Sequence, residues 1–593
     1  MDLDRVAIPT AVLATVATLV VVFYYPVGSV LAAAVFRDGA PTLAPLADVL
    51  GDPFYTGVAH HLVVDPLGVP AGILEWAGAG MPSVETGLIG FTAWQAVLST
   101  VASVAIGFPG AYLLARWEFP GRRTIRSLTL LPFVLPAIMV AVGFLAMFGG
   151  QGLLNDLLAA LGFARIEFVF TLELVVLAHA FYNAPLVTRL VTTAWESVDR
   201  RSVETARTMG ASRVRAFRDV VLPELLPALL TAALLTFVFT FMTFPIVLAL
   251  GGLRLATLEV WLYSRVQNLA LAEAATLGAI ETTLSLVLTY VYLRYEAVQV
   301  RAGTSGRGLS RSRLLARGRA LLDPRRLALL GYAAVVLVVF VGPLVSLLIE
   351  SVTTPDGGIT LQYYAFLLER QEGAAVGTIR PLTAIRNSLT FGVGTLAVAI
   401  PMGVTVSVVA TRGGRGSRVA EALLTAPLAV SGIVVGLGLL RNLVFGTVVF
   451  GHRITVTGPV AIVAAHAVAA YPFVTRLVTP ALGGIDDRMT DAARSLGATR
   501  LRTLLDVELP LVAGALVAGA AFAFAISVGE FDSTVLLAEG VDSYTMPVAL
   551  EEYRGDRSTG PSLGPATAMG TVLLAVTTVS FVLIDRFGGR WEQ

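Results

Sequence analysis

One polar segment of the 593-residue chain occurs twice, in the same register. The first copy extends from residue 179 to 223 and the second from residue 466 to 510. The matching positions, each pair 287 residues apart, are His179 and His466, Pro185 and Pro472, Gly210 and Gly497, and Pro223 and Pro510. Because no insertion interrupts this register, the chain is a tandem duplication. Both halves are therefore expected to share one fold and to present the same polar connector.

The composition is that of a membrane protein. Hydrophobic residues make up 56% of the chain and charged residues only 14%, which is too apolar for a soluble core of this length. A stretch of about 20 apolar residues can cross a bilayer as a helix. The predicted spans are residues 6–36, 87–115, 128–149, 168–192, 226–251, 275–295, 327–350, 387–411, 420–447, 458–480, 511–537 and 565–587. We therefore predict an all-α membrane protein with about 12 transmembrane helices in two six-helix repeats.

The loops that follow the even-numbered spans are rich in arginine, which is typical of loops that stay in the cytoplasm. Both repeated connectors and both chain termini are therefore predicted on the cytoplasmic side of the cell membrane. The predicted halves are residues 1–297 and 327–593. A linker rich in Gly, Ser and Arg, residues 298–326, joins them.

Two missing residue types exclude several kinds of site. The chain has no cysteine and no lysine, so it lacks thiolate ligands, lysine Schiff bases and the lysine of a nucleotide-binding P-loop. We therefore expect no ATP hydrolysis by this chain and no other enzyme activity, and we predict no cofactor and no bound metal. Basic residues lie in scattered loops rather than in one stripe, so no nucleic-acid partner is expected.

Each connector has the pattern of two short surface helices that meet at a glycine. Gly210 and Gly497 permit the backbone angles of a sharp turn. Pro223 and Pro510 suit the first turn of the membrane helix that follows, where a missing N–H group is tolerated. The pattern predicts a rigid protrusion that fits a groove on a partner protein.

The connectors are also similar to the signature of the membrane subunits of binding-protein-dependent ABC importers. That signature is Glu-Ala-Ala, then a glycine, then Leu-Pro, at fixed spacing. The matching residues are Glu204, Ala206, Gly210, Leu222 and Pro223 in the first copy, and Asp491, Ala492, Ala493, Gly497, Leu509 and Pro510 in the second. The resemblance implies a permease of an ATP-driven importer, in which each connector is a coupling helix docked on one of two separate ATPase subunits. It also implies an external solute-binding protein.

Two permease halves on one chain resemble the thiamine and ferric-iron importers of this family. Local strings such as residues 91–96 and 148–152 resemble the thiamine type. Ferric iron and other solutes remain alternatives. A secondary transporter can also consist of two six-helix repeats and is the alternative class. Such a transporter would need no repeated cytoplasmic protrusion.

Four ionisable residues predicted inside spans are candidates for the solute path, because a charge at membrane depth is costly. Glu530 and Asp532 have no acidic counterpart 287 residues earlier. Their carboxylates could offset a cationic solute such as thiamine, or form a structural hydrogen bond or a gate. His179 and His466 are related by the duplication, and they either line the path or hydrogen-bond neighbouring helices.

Overall fold

The computed structural model describes residues 3–37, 39–57, 86–128, 135–300, 311–313, 324–369, 380–412, 424, 426–555 and 563–588. This part of the chain is mostly helical. It contains ten helices that are long and apolar enough to cross a membrane, or up to twelve if each of two bent helix pairs is one span. The prediction of an all-α membrane protein built from two six-helix repeats is therefore confirmed.

The described part of the first half contains two π-helical turns, Val20–Tyr24 and Phe217–Val221, and one 3-10 turn, Gly252–Leu255. Its α-helices are α1 (Leu3–Leu19), α2 (Tyr25–Ala33), α3 (Ala44–Leu50), α4 (Pro53–Thr56), α5 (Gly87–Arg116), α6 (Arg122–Leu128), α7 (Ala137–Phe148), α8 (Leu153–Ala160), α9 (Leu172–Ser197), α10 (Arg200–Thr208), α11 (Arg213–Ala216), α12 (Leu222–Phe241), α13 (Pro245–Gly251), α14 (Leu258–Gln267) and α15 (Leu271–Val300).

Among its described residues the second half contains three π-helical turns, Leu337–Val341, Leu440–Val444 and Leu504–Glu508, and 3-10 turns at Ala426–Ala429 and Val541–Ser543. Its α-helices are α16 (Pro324–Val336), α17 (Gly342–Glu350), α18 (Gln362–Glu369), α19 (Pro381–Arg412), α20 (Gly432–Leu439), α21 (Gly458–Gly483), α22 (Asp487–Ser495), α23 (Arg500–Thr503), α24 (Leu509–Leu511), α25 (Ala513–Gly529), α26 (Thr534–Leu537), α27 (Met546–Gly555) and α28 (Gly564–Gly588).

Six short strands form three two-stranded sheets in the described residues. They are β1 (Phe36–Arg37) with β2 (Ala40–Pro41), β3 (Trp117–Glu118) with β4 (Ser312–Arg313), and β5 (Thr447–Val449) with β6 (His452–Ile454). The β3–β4 pair is parallel and joins a piece of the predicted linker to the first half. Beside it, Arg311 Nη2 lies 2.9 Å from Glu196 Oε1. Most of the predicted linker lies outside the described residues, and its boundaries stay a prediction.

Several predicted spans differ from the observed helices. The predicted span 226–251 is two helices, because α12 ends at Phe241 and α13 begins at Pro245, whose missing N–H group favours a new helix start. The predicted span 511–537 likewise divides into α25 and α26. The described residues of the predicted span 420–447 form a helical stretch over Gly432–Val444, and residues 420–423 and 425 lie outside the described residues. Helices α13 and α14 form a pair bent by 78°, which the sequence pattern did not predict because α14 carries two charged residues, Glu259 and Arg265.

The first helical stretch of each half packs against the other half. An ideal Cβ atom on Gly438 of α20 would lie 2.7 Å from the carbonyl oxygen of Pro26 in α2. One on Gly143 of α7 would lie 2.8 Å from the carbonyl oxygen of Pro343 in α17. Both contacts require a glycine, since real Cβ atoms do not approach backbone so closely. A π-helical turn precedes each of the two prolines. The halves are therefore interlocked and share one apolar core.

Within each half, a long helix pair repeats one close contact. Thr188 Oγ1 of α9 donates to the carbonyl oxygen of Gly107 in α5 at 2.9 Å. Thr475 Oγ1 of α21, 287 positions later, donates to the carbonyl oxygen of Gly403 in α19 at 3.4 Å. Small residues and threonine hydroxyls are typical of helix contacts in membranes. Helices α9 and α21 lead from this contact into the connectors, and we call the end of the bundle that they reach the connector face.

Candidate coupling segments and solute path

Each connector folds as two short helices, α10 and α11 in the first copy and α22 and α23 in the second. All four helices begin with a side-chain cap. The capping bonds run from Arg201 N to Asp199 Oδ1 at 3.1 Å, from Arg215 N to Ser212 Oγ at 3.1 Å, from Arg488 N to Asp486 Oδ1 at 3.0 Å and from Arg502 N to Thr499 Oγ1 at 3.3 Å. Such caps fix the residue at which a helix starts. The duplication has therefore kept the local geometry of both connectors.

A glycine turn separates the two helices of each connector. The backbone φ angle is +90° at Gly210 and +88° at Gly497, a region that favours glycine. Two backbone bonds close each turn: Gly210 N to Arg207 O at 3.1 Å and Ala211 N to Ala206 O at 3.0 Å, and Gly497 N to Arg494 O at 3.0 Å and Ala498 N to Ala493 O at 3.1 Å. This is the hydrogen-bond pattern of a glycine-terminated helix. No atom lies within 4 Å of an ideal Cβ at either glycine, so backbone geometry rather than crowding requires glycine here.

The signature residues lie on an open surface. Neither α10 nor α22 contains a buried residue. The exposed signature residues are Glu204, Gly210, Pro223, Asp491, Ala492, Gly497 and Pro510, and the half-buried ones are Ala206, Leu222, Ala493 and Leu509. Pro223 and Pro510 lie in the first turns of α12 and α24, as predicted, although in both copies a π-helical turn leads into that helix without a break.

An apolar side chain forms the tip of each connector. Met209 is 82% exposed and Leu496 is 90% exposed, and each directly precedes the glycine of its turn. The sequence analysis did not single out this pair, although the two positions are 287 residues apart and apolar in both copies. Large apolar residues exposed at the same place on both copies indicate an interaction surface.

A cavity of about 350 Å³ lies between the two halves. Its walls come from α7, α9, α12 and α13 of the first half and from the end of α25 in the second. Of the four predicted path residues, His179, Glu530 and Asp532 line this cavity. His466 is fully buried and contacts Glu530. The structure therefore brings together residues from both halves that are more than 340 positions apart in the sequence.

His179 joins three helical segments of the first half. Its Nδ1 atom lies 2.9 Å from Ser99 Oγ of α5, and its Nε2 atom lies 3.3 Å from Thr243 Oγ1, between α12 and α13. The side chain is only 1% exposed. Because both ring nitrogens have hydroxyl partners, this geometry favours hydrogen bonding between helices over binding of a solute.

His466 and Glu530 form a buried hydrogen-bonded group in the second half. His466 Nδ1 lies 2.8 Å from Ser527 Oγ, and Nε2 lies 2.8 Å from Thr534 Oγ1 and 3.0 Å from Glu530 Oε2. The Glu530 carboxylate folds back onto the start of α26. It accepts from Ser533 N at 2.7 Å, from Thr534 N at 3.1 Å and from Thr534 Oγ1 at 2.5 Å. Glu530 is therefore a well-satisfied structural acceptor at the edge of the cavity.

Asp532 differs from Glu530, although both line the cavity. No hydrogen bond to its carboxylate is formed by the residues that the structure describes. Its side chain packs against Gly432 at the start of α20, where an ideal Cβ would lie 2.8 Å from Asp532 Cβ. Of the two acidic path residues, Asp532 is therefore the one whose carboxylate is available to a solute.

Two equivalent phenylalanines stack on each other across the boundary between the halves. Phe244 and Phe531 are 287 positions apart, and both line the cavity. Their ring centroids are 5.6 Å apart and the ring planes differ by 18°. Both side chains are buried. No local motif marks this pair in the sequence. Only its spacing of 287 residues, the same as that of the other duplicated positions, could have indicated it.

A family model for the "binding-protein-dependent transport system inner membrane component" matches the chain twice, over residues 107–299 and 399–593. Together these matches cover more than half of the chain, with one match in each duplicated half. The chain belongs to this family of ABC importer permeases. It is a fused, tandem member of the family and a multi-pass inner-membrane protein.

Similar curated proteins span most of this permease. The thiamine transport system permease protein ThiP of Brucella abortus (strain 2308) is 28% identical over 494 residues, covering 83% of this chain and 86% of the relative. ThiP of Escherichia coli (strain K12) is 26% identical over 526 residues, covering 87% and 91%. The sulfate transport system permease protein CysT of Salmonella typhimurium is 29% identical over 202 residues, covering 34% and 72%. The thiamine permeases therefore match both halves, whereas the sulfate permease matches about a third of the chain.

Proposed function

We propose that this permease imports thiamine through the cavity between its halves. The observation that carries the proposal is the lining of that cavity. Aromatic side chains of Tyr182, Phe239, Phe244 and Phe531 line it, and the free carboxylate of Asp532 lies in its wall. Aromatic rings and a carboxylate together suit an organic cation, because both attract positive charge. The likeness to thiamine permeases along both halves supports the same solute.

Ferric iron is the second candidate solute. It is a small, highly charged ion that needs several carboxylate, histidine or thiolate ligands around one point. Of the ionisable groups at the cavity, His179 and Glu530 already have protein partners. This leaves one free carboxylate, which favours a large organic cation over a bare metal ion. The secondary-transporter alternative is set aside, because the chain belongs to the ABC importer permeases.

The two connectors are the proposed docking sites for two separate ATPase subunits. In this proposal the connector face and both chain termini lie in the cytoplasm, and an external binding protein delivers thiamine to the opposite face. ATP-driven closure of the ATPase dimer would move the two connectors towards each other. Helices α12 and α25, which follow the connectors, reach the cavity at their far ends. In the first half the helix runs from the connector to the cavity without a break, whereas in the second half a bend of 80° separates α24 from α25. Packed helices of this kind can carry the movement to the cavity wall.

Stimulation of ATP hydrolysis by the solute tests the proposed transport. We expect thiamine to stimulate hydrolysis by the complex of permease, ATPase subunits and binding protein in liposomes, and ferric iron to have no effect. Omitting the binding protein is the control and should remove the stimulation. Stimulation by ferric iron alone would overturn thiamine as the solute.

Valine in place of both connector glycines should uncouple the importer. At φ values near +90° an L-residue is strained by roughly 1–2 kcal/mol, and a β-branched residue by more. We expect the double variant Gly210→Val, Gly497→Val to import thiamine about 5 to 30 times more slowly per ATP hydrolysed. The measurement is uptake together with ATP hydrolysis in the same liposomes.

Gly121→Val is the matched control for this experiment. Gly121 also has a positive φ angle, +83°, and no atom lies within 4 Å of an ideal Cβ. It follows β3, near the connector face but outside the repeated segment, so the same strain there should leave coupling unchanged. If the control and the double variant lose coupling equally, the connectors are not the specific coupling elements.

A further inference from the structure

Two carboxyl groups are buried between α14 and α15 without forming a hydrogen bond to any described residue. Glu259 of α14 is 0% exposed and Glu281 of α15 is 1% exposed. None of their four carboxylate oxygens has a hydrogen-bond partner among the described residues. An unpartnered buried carboxylate is strongly unfavourable, so a group in this position needs a physical reason.

The pair lies where helices of both halves meet. One turn from Glu281, an ideal Cβ on Gly278 would approach Val30 of α2 at 3.2 Å, and Leu262 of α14 and Val434 of α20 at 3.4 Å each. Leu262 is one turn from Glu259 on α14. The carboxyl pair of the first half therefore faces the start of α20, which belongs to the second half.

Two further polar groups face the pair from the second half. Ser431, at the start of α20, is 6% exposed, and its Oγ atom has no hydrogen-bond partner of good geometry. It lies beside both carboxyl groups. The carboxylate of Asp532 is close enough to interact electrostatically with Glu259, and it also lines the cavity. Asp532 therefore connects the buried pair to the proposed solute path.

No described basic side chain neutralises these carboxylates. Arg265, two turns after Glu259 on α14, lies 4.5 Å from the ring centroid of Trp261, and its Nη1 is 3.8 Å from Glu273. His466 faces Glu530 rather than this pair. Any of these carboxyl groups that is ionised without a counter-charge in the membrane interior costs several kcal/mol. A positive charge that enters the cluster would remove that cost.

We propose that Glu259, Glu281 and Asp532, with Ser431 Oγ, form a binding site for a monovalent organic cation at the boundary between the halves. The site lies behind the cavity wall and would receive the cation from the cavity through Asp532. The inference rests on the proposed function in one respect, because it takes the bound cation to be the transported solute. It adds to that function a second, deeper site built mainly from the first half.

The arrangement favours an organic cation over a metal ion. The described residues contain no group of three or more His, Asp and Glu side chains placed to hold one metal ion. A thiazolium or quaternary ammonium group spreads its charge over several atoms and binds through charge and aromatic contact, without fixed ligand geometry. Phe531 is next to Asp532 in the chain, and its side chain and that of Phe244 line the adjacent cavity.

A shared proton is the alternative explanation for the buried pair. Glu259 and Glu281 lie within hydrogen-bonding reach of each other, and two carboxyl groups can bond only when one of them carries a proton. In that case the pair would simply fasten α14 to α15. Glutamine separates the two explanations, because a Gln–Glu pair keeps a hydrogen bond but has one negative charge less.

The test compares Glu281→Gln, Glu259→Gln and Asp532→Asn in the complete complex in liposomes. If the cluster binds the cation, thiamine uptake should fall at least about tenfold in each variant, which corresponds to about 1.4 kcal/mol. Glu552→Gln, at an exposed carboxyl group of α27, is the matched control and should transport normally. Co-purification of the ATPase subunits verifies that each variant is folded. Uptake at the wild-type rate in Glu281→Gln and Glu259→Gln would overturn the cation site and leave the shared proton.

A second measurement separates this inference from the identity of the solute. Tetramethylammonium, a simple monovalent organic cation, should raise the melting temperature of the wild-type permease in nanodiscs, and this rise should be absent from Glu281→Gln. If the wild type imports no thiamine but shows this difference, the solute assignment fails and the cation site stands. An equal response of wild type and variant, or no response in either, would overturn the site.

Discussion

The double variant Met209→Glu, Leu496→Glu should lose its ATPase subunits. These two side chains are the most exposed large apolar groups of the connectors, at 82% and 90%, and each lies directly before the turn of its connector. A partner groove that covers them would bury each side chain, and a charge there would be desolvated without a partner. Replacing a hot-spot residue of an interface costs about 2 kcal/mol or more, so if the tips are hot spots, binding at each connector should weaken roughly 30-fold. The measurement is the amount of ATPase subunit that co-purifies with the tagged permease.

Ile359→Glu is the matched control for the connector variants. Ile359 is 91% exposed and lies between α17 and α18, at the end of the bundle opposite the connector face. The same change in polarity at this position should leave the recovery of ATPase unchanged. The single variants should each lose part of the ATPase, because the two connectors are equivalent. Full recovery with the double variant would show that the exposed tips are not the docking surface.

Replacing Glu530 with alanine should destabilise the permease strongly. The variant removes the acceptor of two backbone N–H groups and one hydroxyl at the start of α26, and it leaves His466 without its carboxylate. Removing one partner from a buried pair of this kind costs about 3 kcal/mol. We expect a clear fall in the temperature at which the purified permease aggregates. The Glu530→Gln variant keeps one acceptor oxygen, so its aggregation temperature should fall less than that of the alanine variant.

The Asp532→Asn variant is the informative comparison with the Glu530 variants. The two carboxylates lie two positions apart in the sequence, and both line the same cavity. The Asp532 carboxylate receives no hydrogen bond from the described residues, so its amide variant should keep the wild-type aggregation temperature while thiamine uptake falls. We therefore expect substitution of Glu530 mainly to lower the stability of the permease, and substitution of Asp532 mainly to lower thiamine uptake. A Glu530→Gln variant with unchanged stability and impaired uptake would contradict the structural role of Glu530.

The duplication and the connectors could be read from the sequence because both are local features. A helix cap, a glycine turn and a proline in a first turn involve residues within about four positions of each other. Span prediction succeeded for the same reason wherever the apolar stretch was long and uninterrupted, as in α5, α9 and α21. It failed where a polar or bent segment lies at membrane depth, as in the α13–α14 pair, because hydropathy cannot distinguish such a segment from a loop.

The roles of the polar residues inside the membrane required the tertiary structure. From the sequence, Glu530 and Asp532 were equivalent candidates, because nothing local indicates that one carboxylate folds back onto α26 and the other stays free. Glu259 was not singled out at all, since a single acidic residue in α14 carries no pattern. Its importance depends on its proximity to Glu281 and Ser431 and on the lack of a formed hydrogen bond, and those relations join residues from different helices and both halves.

The sequence by itself determined that this chain is a duplicated membrane protein with two equivalent connectors, because composition, periodicity and register are properties of neighbouring residues and of repetition. The resemblance of the connectors to a family signature then implied a permease. Only the tertiary structure decided how the halves interlock, where the cavity lies and which charged groups remain without a partner. Each of these depends on distances between side chains hundreds of positions apart, such as the stacking of Phe244 on Phe531. The free energy of a buried charge depends on what surrounds it in space, and the chain sets that environment only when both halves have folded together.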